Sequence, residues 1–383
     1  MNGDPHRTLK AFFTKALEGV DPGRRVAQAL ARRSLARALA GARRIGVFAC
    51  GKAAARMVLG APAGLRRGAL VVLPKGYPVR GLSGCEVLFS AHPEPDSSSI
   101  RAARRAIAFF EEFGPDDAIL CLVSGGTSSL LALPGPGIRL ASKRGAVRNL
   151  MRSGASIVEI NRLRKKLSAV KGGKLGRRTR ARLVTLVFSD VPGDDPALVG
   201  SGPTIRSGSR DAVEVVGSNR MGLESAARAA RDLGLEPRIV SRRLSGEARE
   251  QGRLFARQAV RMEEGEVLLA GGETTVTISG RGLPGRGGRN LEFVLGAAIE
   301  LAGIEGVAVL SAGSDGIDGS SRAAGAVADG STLARARRRG LDPRTALDRR
   351  DTERFFDSLG DLVAPGPTGT NVCDWAFALR PIR

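Results

Sequence analysis

Short apolar runs alternate with longer amphipathic stretches along most of this 383-residue chain, the pattern of an α/β protein with a largely parallel sheet. Residues 8–40 read as helical, with Leu9, Phe12, Phe13, Ala16 and Leu17 on one apolar face. Strands are expected over 44–49, 68–73, 86–90, 118–123 and 182–188, and helices over 52–59, 97–113, 158–170 and 222–233. Pro134 and Pro136 make 135–142 a loop. Near 241–265 an Arg/Glu-rich helical stretch leads to new strands over 266–270, 274–279 and 307–311, with a helix over 290–302. Two α/β domains are therefore expected, residues 1–245 and 246–383, with a ligand in the cleft between them.

Composition changes this picture little. Hydrophobic residues make up 42% of the chain, enough for a sizeable core, and no apolar run is long enough to span a bilayer. The polar start, residues 1–10, lacks a signal-peptide core, so a cytoplasmic protein without membrane partners is expected. Cys50, Cys85, Cys121 and Cys373 are scattered without metal-ligand spacing, as suits a reducing compartment. The net charge of +22 invites a nucleic-acid reading, but aromatics are only 4% of the residues and the arginines spread through every segment. Without stacking platforms, nucleic acid is not the expected partner, although a basic field would draw in anionic substrates. The sequence leaves a homodimer open.

Loops that follow parallel strands are where ligands bind in such sheets, and four of them carry unusual residues. Cys50-Gly51-Lys52-Ala53-Ala54 puts a lysine at the start of a helix, against the dipole, which makes sense if a phosphate lies in front of it. Ser124-Gly125-Gly126-Thr127-Ser128-Ser129 offers close backbone approach and hydroxyl donors to an anion, or is a capped strand-to-helix turn. Asp190, in Ser189-Asp190-Val191-Pro192-Gly193-Asp194-Asp195, is placed to take a hydroxyl proton or to hold Mg²⁺. Asp315 and Asp318, in a glycine-rich turn after the 307–311 strand, either bind a metal or fix their own turn; the EF-hand ligand pattern is missing.

Other features are weaker. Gly280-Arg281-Gly282-Leu283-Pro284-Gly285 matches the dinucleotide fingerprint GxGxxG, yet Pro284 interrupts the turn and no acidic strand end follows at the right distance. Walker A, GxxxxGK[ST], is absent. The basic helix around Glu159-Ile160-Asn161 keeps helical spacing at Ile160, Leu163, Leu167 and Val170, so Asn161 and Arg164 flank a buried stripe and can meet a substrate carboxylate. His92, in His92-Pro93-Glu94-Pro95-Asp96, reads as a locally packed residue.

Taken in order, these segments resemble the glycerate 2-kinase family that carries a C-terminal MOFRL domain. The matching motifs are Gly51-Lys52-Ala53-Ala54, Pro74-Lys75-Gly76-Tyr77, His92-Pro93-Glu94-Pro95-Asp96, the 124–129 loop, Glu159-Ile160-Asn161 with Arg164, and Lys171-Gly172-Gly173-Lys174. Ser189-Asp190-Val191, Gly271-Gly272-Glu273, Gly287-Gly288-Arg289-Asn290, Asp315-Gly316-Ile317-Asp318-Gly319 and Gly366-Pro367-Thr368-Gly369-Thr370-Asn371 continue the series. The resemblance implies a Rossmann-like N-terminal domain beside a smaller α/β MOFRL domain, and ATP- and Mg²⁺-dependent phosphorylation of D-glycerate to 2-phosphoglycerate. It implies catalytic roles for Lys52 and Asp190, and substrate or phosphate contacts for Ser124, Gly125, Gly126, Thr127, Ser128, Asn161, Arg164, Arg289 and Asn290. Asp190 and Asp315 are the metal candidates. Ser320-Ser321-Arg322 departs from the family pattern and is expected to place a cation beside Asp318. Hydroxypyruvate reductase names are also used in this family, so an NAD(P)H-dependent reductase is the alternative.

Overall fold

The computed structural model describes residues 4–154, 157–208, 211–277 and 285–382. The chain forms two compact units, one of Asp21–Ser218 with Gly369–Asn371, the other of Met1–Val20, Asn219–Thr368 and Val372–Arg383.

In the first unit, β1 (Ile45–Cys50), β2 (Leu70–Pro74), β3 (Glu86–Ser90), β4 (Ala118–Ser124), β5 (Arg182–Phe188) and β6 (Ala212–Gly217) form an all-parallel sheet in the order 3-2-1-4-5-6. The central strands are near-continuous apolar runs because both faces are covered by helices. The edge strands β3 and β6 are only partly buried, and Glu214 breaks the apolar run of β6, which hides that strand from sequence reading. Ser97–Glu111 covers one face through Phe110, whose ring stands 5.3 Å from Phe48, and Asp96 and Ser99 close its first turn as a capping box. Strand order reverses between β1 and β4, so the crevice at their carboxyl ends is the expected ligand position in this architecture.

Several boundaries differ from expectation for identifiable reasons. The helical stretch 8–40 is three helices, Pro5–Gly19, Pro22–Leu30 and Arg33–Leu39; Asp21 caps the second by accepting from the Arg24 N–H at 2.7 Å. The expected 158–170 helix is Ile157–Lys166, beyond which Gly172 and Gly173 take positive φ, 63° and 75°. The expected loop 135–142 already contains the start of a helix, Leu140–Arg152.

The second unit holds β7 (Glu236–Leu244), β8 (Glu266–Gly272), β9 (Ala308–Gly313), β10 (Gly325–Asp329), β11 (Leu362–Val363) and β12 (Asp374–Leu379) in the order 11-10-9-12-8-7. Only β7 and β8 run parallel in this mixed sheet. Two helices on it, Ala248–Val260 and Arg289–Glu300, approach closely at Gly252 and Gly296, where a Cβ would lie 1.9 Å from the Phe293 carbonyl oxygen and 2.2 Å from that of Arg249. β7 pairs with β8, and Pro5–Gly19 packs on Asn219–Asp232 through Gly19 and Ser225. The compact units therefore divide between Ser218 and Asn219, whereas the expected division lay between 245 and 246. The expected strand over 274–279 is not formed by its described residues; Thr275 makes an isolated bridge to Glu247. Residues 280–284 of the GxGxxG segment lie outside the described residues. Among the described residues no helix is long and apolar enough to cross a membrane.

Candidate active site

The loops after β1 and β4 are stitched together by their own backbone. Gly51 has φ 125°, and a Cβ on it would lie 2.1 Å from Ser124 Oγ, so this approach requires glycine. The Lys52 N–H donates to the Gly125 carbonyl at 2.9 Å, and the Ala53 N–H donates to Ser124 Oγ at 3.1 Å. Thr127 Oγ1 lies 2.8 Å from the Cys50 carbonyl and 2.7 Å from that of Ser124. The buried hydroxyls of Ser124 and Thr127, read from the sequence as ligand donors, are thus engaged by the fold itself. The backbone N–H groups from Gly125 to Ser128 make no hydrogen bond among the described residues. They are the donors that the loop can offer to an anion.

Three side chains gather on the paired glycines. A Cβ on Gly125 would lie 2.0 Å from Asp190 Oδ2, which comes from the end of β5. A Cβ on Gly126 would lie 3.3 Å from both His92 Nε2 and Lys52 Cγ. The ends of β1, β3, β4 and β5 therefore bring Lys52, His92 and Asp190 to one loop. His92 is the member that sequence reading set aside. The available signal was its place directly after β3, in the same relation to its strand as Lys52 and Asp190 to theirs.

Burial, reinforced by the Lys52 charge, pushes the His92 imidazole down to about 4, so it is neutral at neutral pH. As pH falls from the ordinary histidine value of 6.5 toward about 4, the unfolded chain takes up a proton that folded His92 refuses, and stability drops across that window. His92→Gln is expected to flatten this acid limb. Denaturant midpoints for both proteins at neutral pH and inside the window check it; parallel curves would show that His92 is not desolvated.

A second polar network begins at Ser128. Its carbonyl and hydroxyl accept from the Lys171 ammonium, and its Oγ lies 3.3 Å from Ser201 Oγ. Ser201 donates onward to Asn161 Oδ1 at 2.7 Å. Lys171, Ser201 and Asn161 are all buried, and Arg164 is half-buried one helical turn beyond Asn161. An open depression of about 480 Å³ bordered by Pro136, Ile138, Lys174, Arg177 and Arg178 includes none of the network's side chains.

The other predicted residues belong to the second unit. Arg289 pairs with Asp374 at 3.0 Å and with Glu273 at 2.6 Å. Burial opposes its charge, but Asp374, Glu273 and Asp318 outweigh that and hold the guanidinium above its ordinary range. Asn290 is buried between Ser311 Oγ, 2.7 Å from its Oδ1, and Asp318, 3.2 Å from its Nδ2. Burial pushes the Asp318 carboxyl up to about 7, partly offset by the Leu291 and Asn290 N–H groups. The cation expected beside Asp318 is not there: the Arg322 side chain turns to Glu353, 3.4 Å away. Asp315 Oδ1 accepts from the Ile317 N–H at 3.2 Å, fixing its own turn.

Among the described residues no three His, Cys, Asp or Glu side chains converge as metal ligands. Mg²⁺ does not require such a cage, since it typically keeps waters and takes one or two carboxylates beside substrate phosphates. Asp190, a single carboxylate over an amide-rich loop, fits that mode.

A domain of unknown function, DUF4147, matches residues 8–233, and the MOFRL family matches residues 266–374. An Agrobacterium vitis protein with a provisional hydroxypyruvate reductase name is 38% identical over 96% of this chain and 93% of its own length. The D-glycerate 2-kinase of Thermotoga maritima is 36% identical over 95% of this chain and 96% of its own. A crystal structure of a glycerate kinase from Thermotoga maritima matches with a TM-score of 0.86 at 33% identity, covering 98% of this chain and 99% of that one.

Proposed function

We infer the reaction from one premise: the chain belongs to the glycerate 2-kinase family, in which a MOFRL domain follows a DUF4147 domain. It is an ATP-dependent kinase that phosphorylates D-glycerate at the 2-hydroxyl, giving 2-phosphoglycerate and ADP. The observation that carries the residue assignments is the gathering of Lys52, His92 and Asp190 on Gly125 and Gly126 at the strand-order reversal.

Phosphoryl transfer asks a protein mainly for positioning and charge neutralisation. The glycerate 2-oxygen attacks the γ-phosphorus, the bond from that phosphorus to the ADP oxygen breaks, and the hydroxyl proton leaves. Asp190 orients the hydroxyl and takes its proton. Lys52 neutralises the phosphoryl oxygens, and the N–H groups of residues 125–128 supply further donors to anionic oxygens. Neutral His92 keeps the Lys52 surroundings free of a second cation. Asn161 and Arg164 serve the substrate's carboxylate side. Mg²⁺, which Asp190 would hold together with the phosphates, supplies additional charge neutralisation when bound.

A reductase would need a nicotinamide dinucleotide seat. The β1 loop Cys50-Gly51-Lys52-Ala53-Ala54 carries one glycine and a lysine, where the dinucleotide fingerprint needs three glycines. The deciding assay supplies D-glycerate, ATP and Mg²⁺, adds enolase, and follows phosphoenolpyruvate. Product is expected, and it reports the 2-position because enolase does not dehydrate 3-phosphoglycerate. NADH oxidation with hydroxypyruvate and no ATP requirement would overturn the kinase reading.

A further inference from the structure

Lys143 and Lys171 have no part in the chemistry so far, yet both are buried. Lys143, from the helix Leu140–Arg152, keeps 4% of its surface exposed and Lys171 keeps 3%. Lys171 donates to Ser128, whereas the Lys143 ammonium has no hydrogen-bond partner among the described residues. Lys174 and Arg164 act electrostatically on Lys143, and Lys143 and Arg164 act on Lys171. All are cations.

The groups that act electrostatically on Lys143 and Lys171 include no carboxylate. The opposing group at Lys171 is the Cys50 thiol, which burial pushes up to about 12 and so keeps neutral. Burial and neighbouring charge push the Lys143 ammonium down to about 8, and Lys171 well below the usual lysine range. A buried cation cluster with one head left unpartnered is strongly unfavourable unless its ammonium groups give up protons or an anion completes it.

We propose that Lys143, Lys171 and Arg164 form a buried anion site that holds the carboxylate of the hydroxy-acid substrate. The assignment rests on the kinase reading above. The chain Ser128, Ser201 and Asn161 places hydroxyl and amide groups beside Lys171, as an acid bearing its own hydroxyls requires. Ser128 is also two residues from Gly126, where Lys52 and His92 stand, so one loop joins the carboxylate seat to the reacting end. A nucleotide phosphate presents similar anionic oxygens, and the test separates the two sources.

The variant is Lys143→Met in the full chain. Its Tm without ligand is expected not to fall, because an uncompensated buried cation is removed. D-glycerate without ATP should raise the Tm of the unsubstituted protein but not of the variant. Glycerol, which has hydroxyls and no carboxylate, should raise neither. KM for D-glycerate should rise by about tenfold or more while KM for ATP stays within about twofold, and Lys143→Arg should recover part of the loss. A rise in the ATP constant instead would assign the cations to nucleotide phosphate and overturn the proposal. Unchanged constants, or a lower Tm with an intact response to glycerate, would also overturn it. The kinase reading is scored apart from this: it fails if the unsubstituted protein makes no 2-phosphoglycerate, whereas the glycerate-induced shift in Tm is read without turnover.

Discussion

Lys52→Met is expected to lower kcat by about 10²-fold or more while leaving KM for D-glycerate nearly unchanged, a loss of about 2.7 kcal/mol of transition-state stabilisation. The expectation follows from where the lysine stands. Gly51 turns the chain out of β1 at φ 125°, and the Lys52 N–H is tied to Gly125, so the side chain leaves from a fixed backbone point. Its stem passes Gly126, where a Cβ would lie only 3.3 Å from Lys52 Cγ. In the proposed mechanism the ammonium then works against charge that grows on the phosphoryl oxygens as the bond to ADP breaks, an interaction stronger in the transition state than in the ground state. Methionine keeps the apolar stem and removes the charge. Steady-state kinetics with a thermal-denaturation control measure the effect; an unchanged kcat would remove Lys52 from the chemistry.

The second large effect is expected from Asp190→Asn, which should lower kcat by roughly 10²- to 10⁴-fold, the range for loss of a positioned general base. Asparagine is nearly isosteric, so the close packing over Gly125 survives and Tm should stay near that of the unsubstituted chain. Only the charge and the proton acceptor are lost. The split between constants separates this from a packing role: kcat should fall while KM for D-glycerate stays near that of the unsubstituted chain. Full activity in a folded Asp190→Asn would make Asp190 a turn residue.

Sequence and structure divide this protein along physical lines. Buried central strands were legible because both of their faces are covered, so β1, β2, β4 and β5 appear as near-continuous apolar runs. Of the edge strands, β3 was legible over 86–90, but β6 and β7 were not. Glu214 interrupts β6, and β7 alternates half-exposed with exposed positions around Arg238, Arg242 and Arg243. β12 is wholly buried, but nothing local says that it inserts between β9 and β8.

Within the candidate site, Lys52 and Asp190 could be read from the sequence because each follows a recognisable strand, and Lys52 also stands against a helix dipole. His92 could not, since a lone histidine after an edge strand gains meaning only when the sheet order brings it to Gly126. The burial of Lys143 and Lys171 could not be read either, because burial is a property of the folded packing and not of residue type. The same holds for Ser124 and Thr127. Sequence alone determined that glycines and hydroxyls meet after β4; only the packing of β1 against β4 decided that those two hydroxyls latch the loops, so that the donors left to offer a ligand are backbone N–H groups. Local chemistry selects which groups are available, and long-range strand order selects what they face.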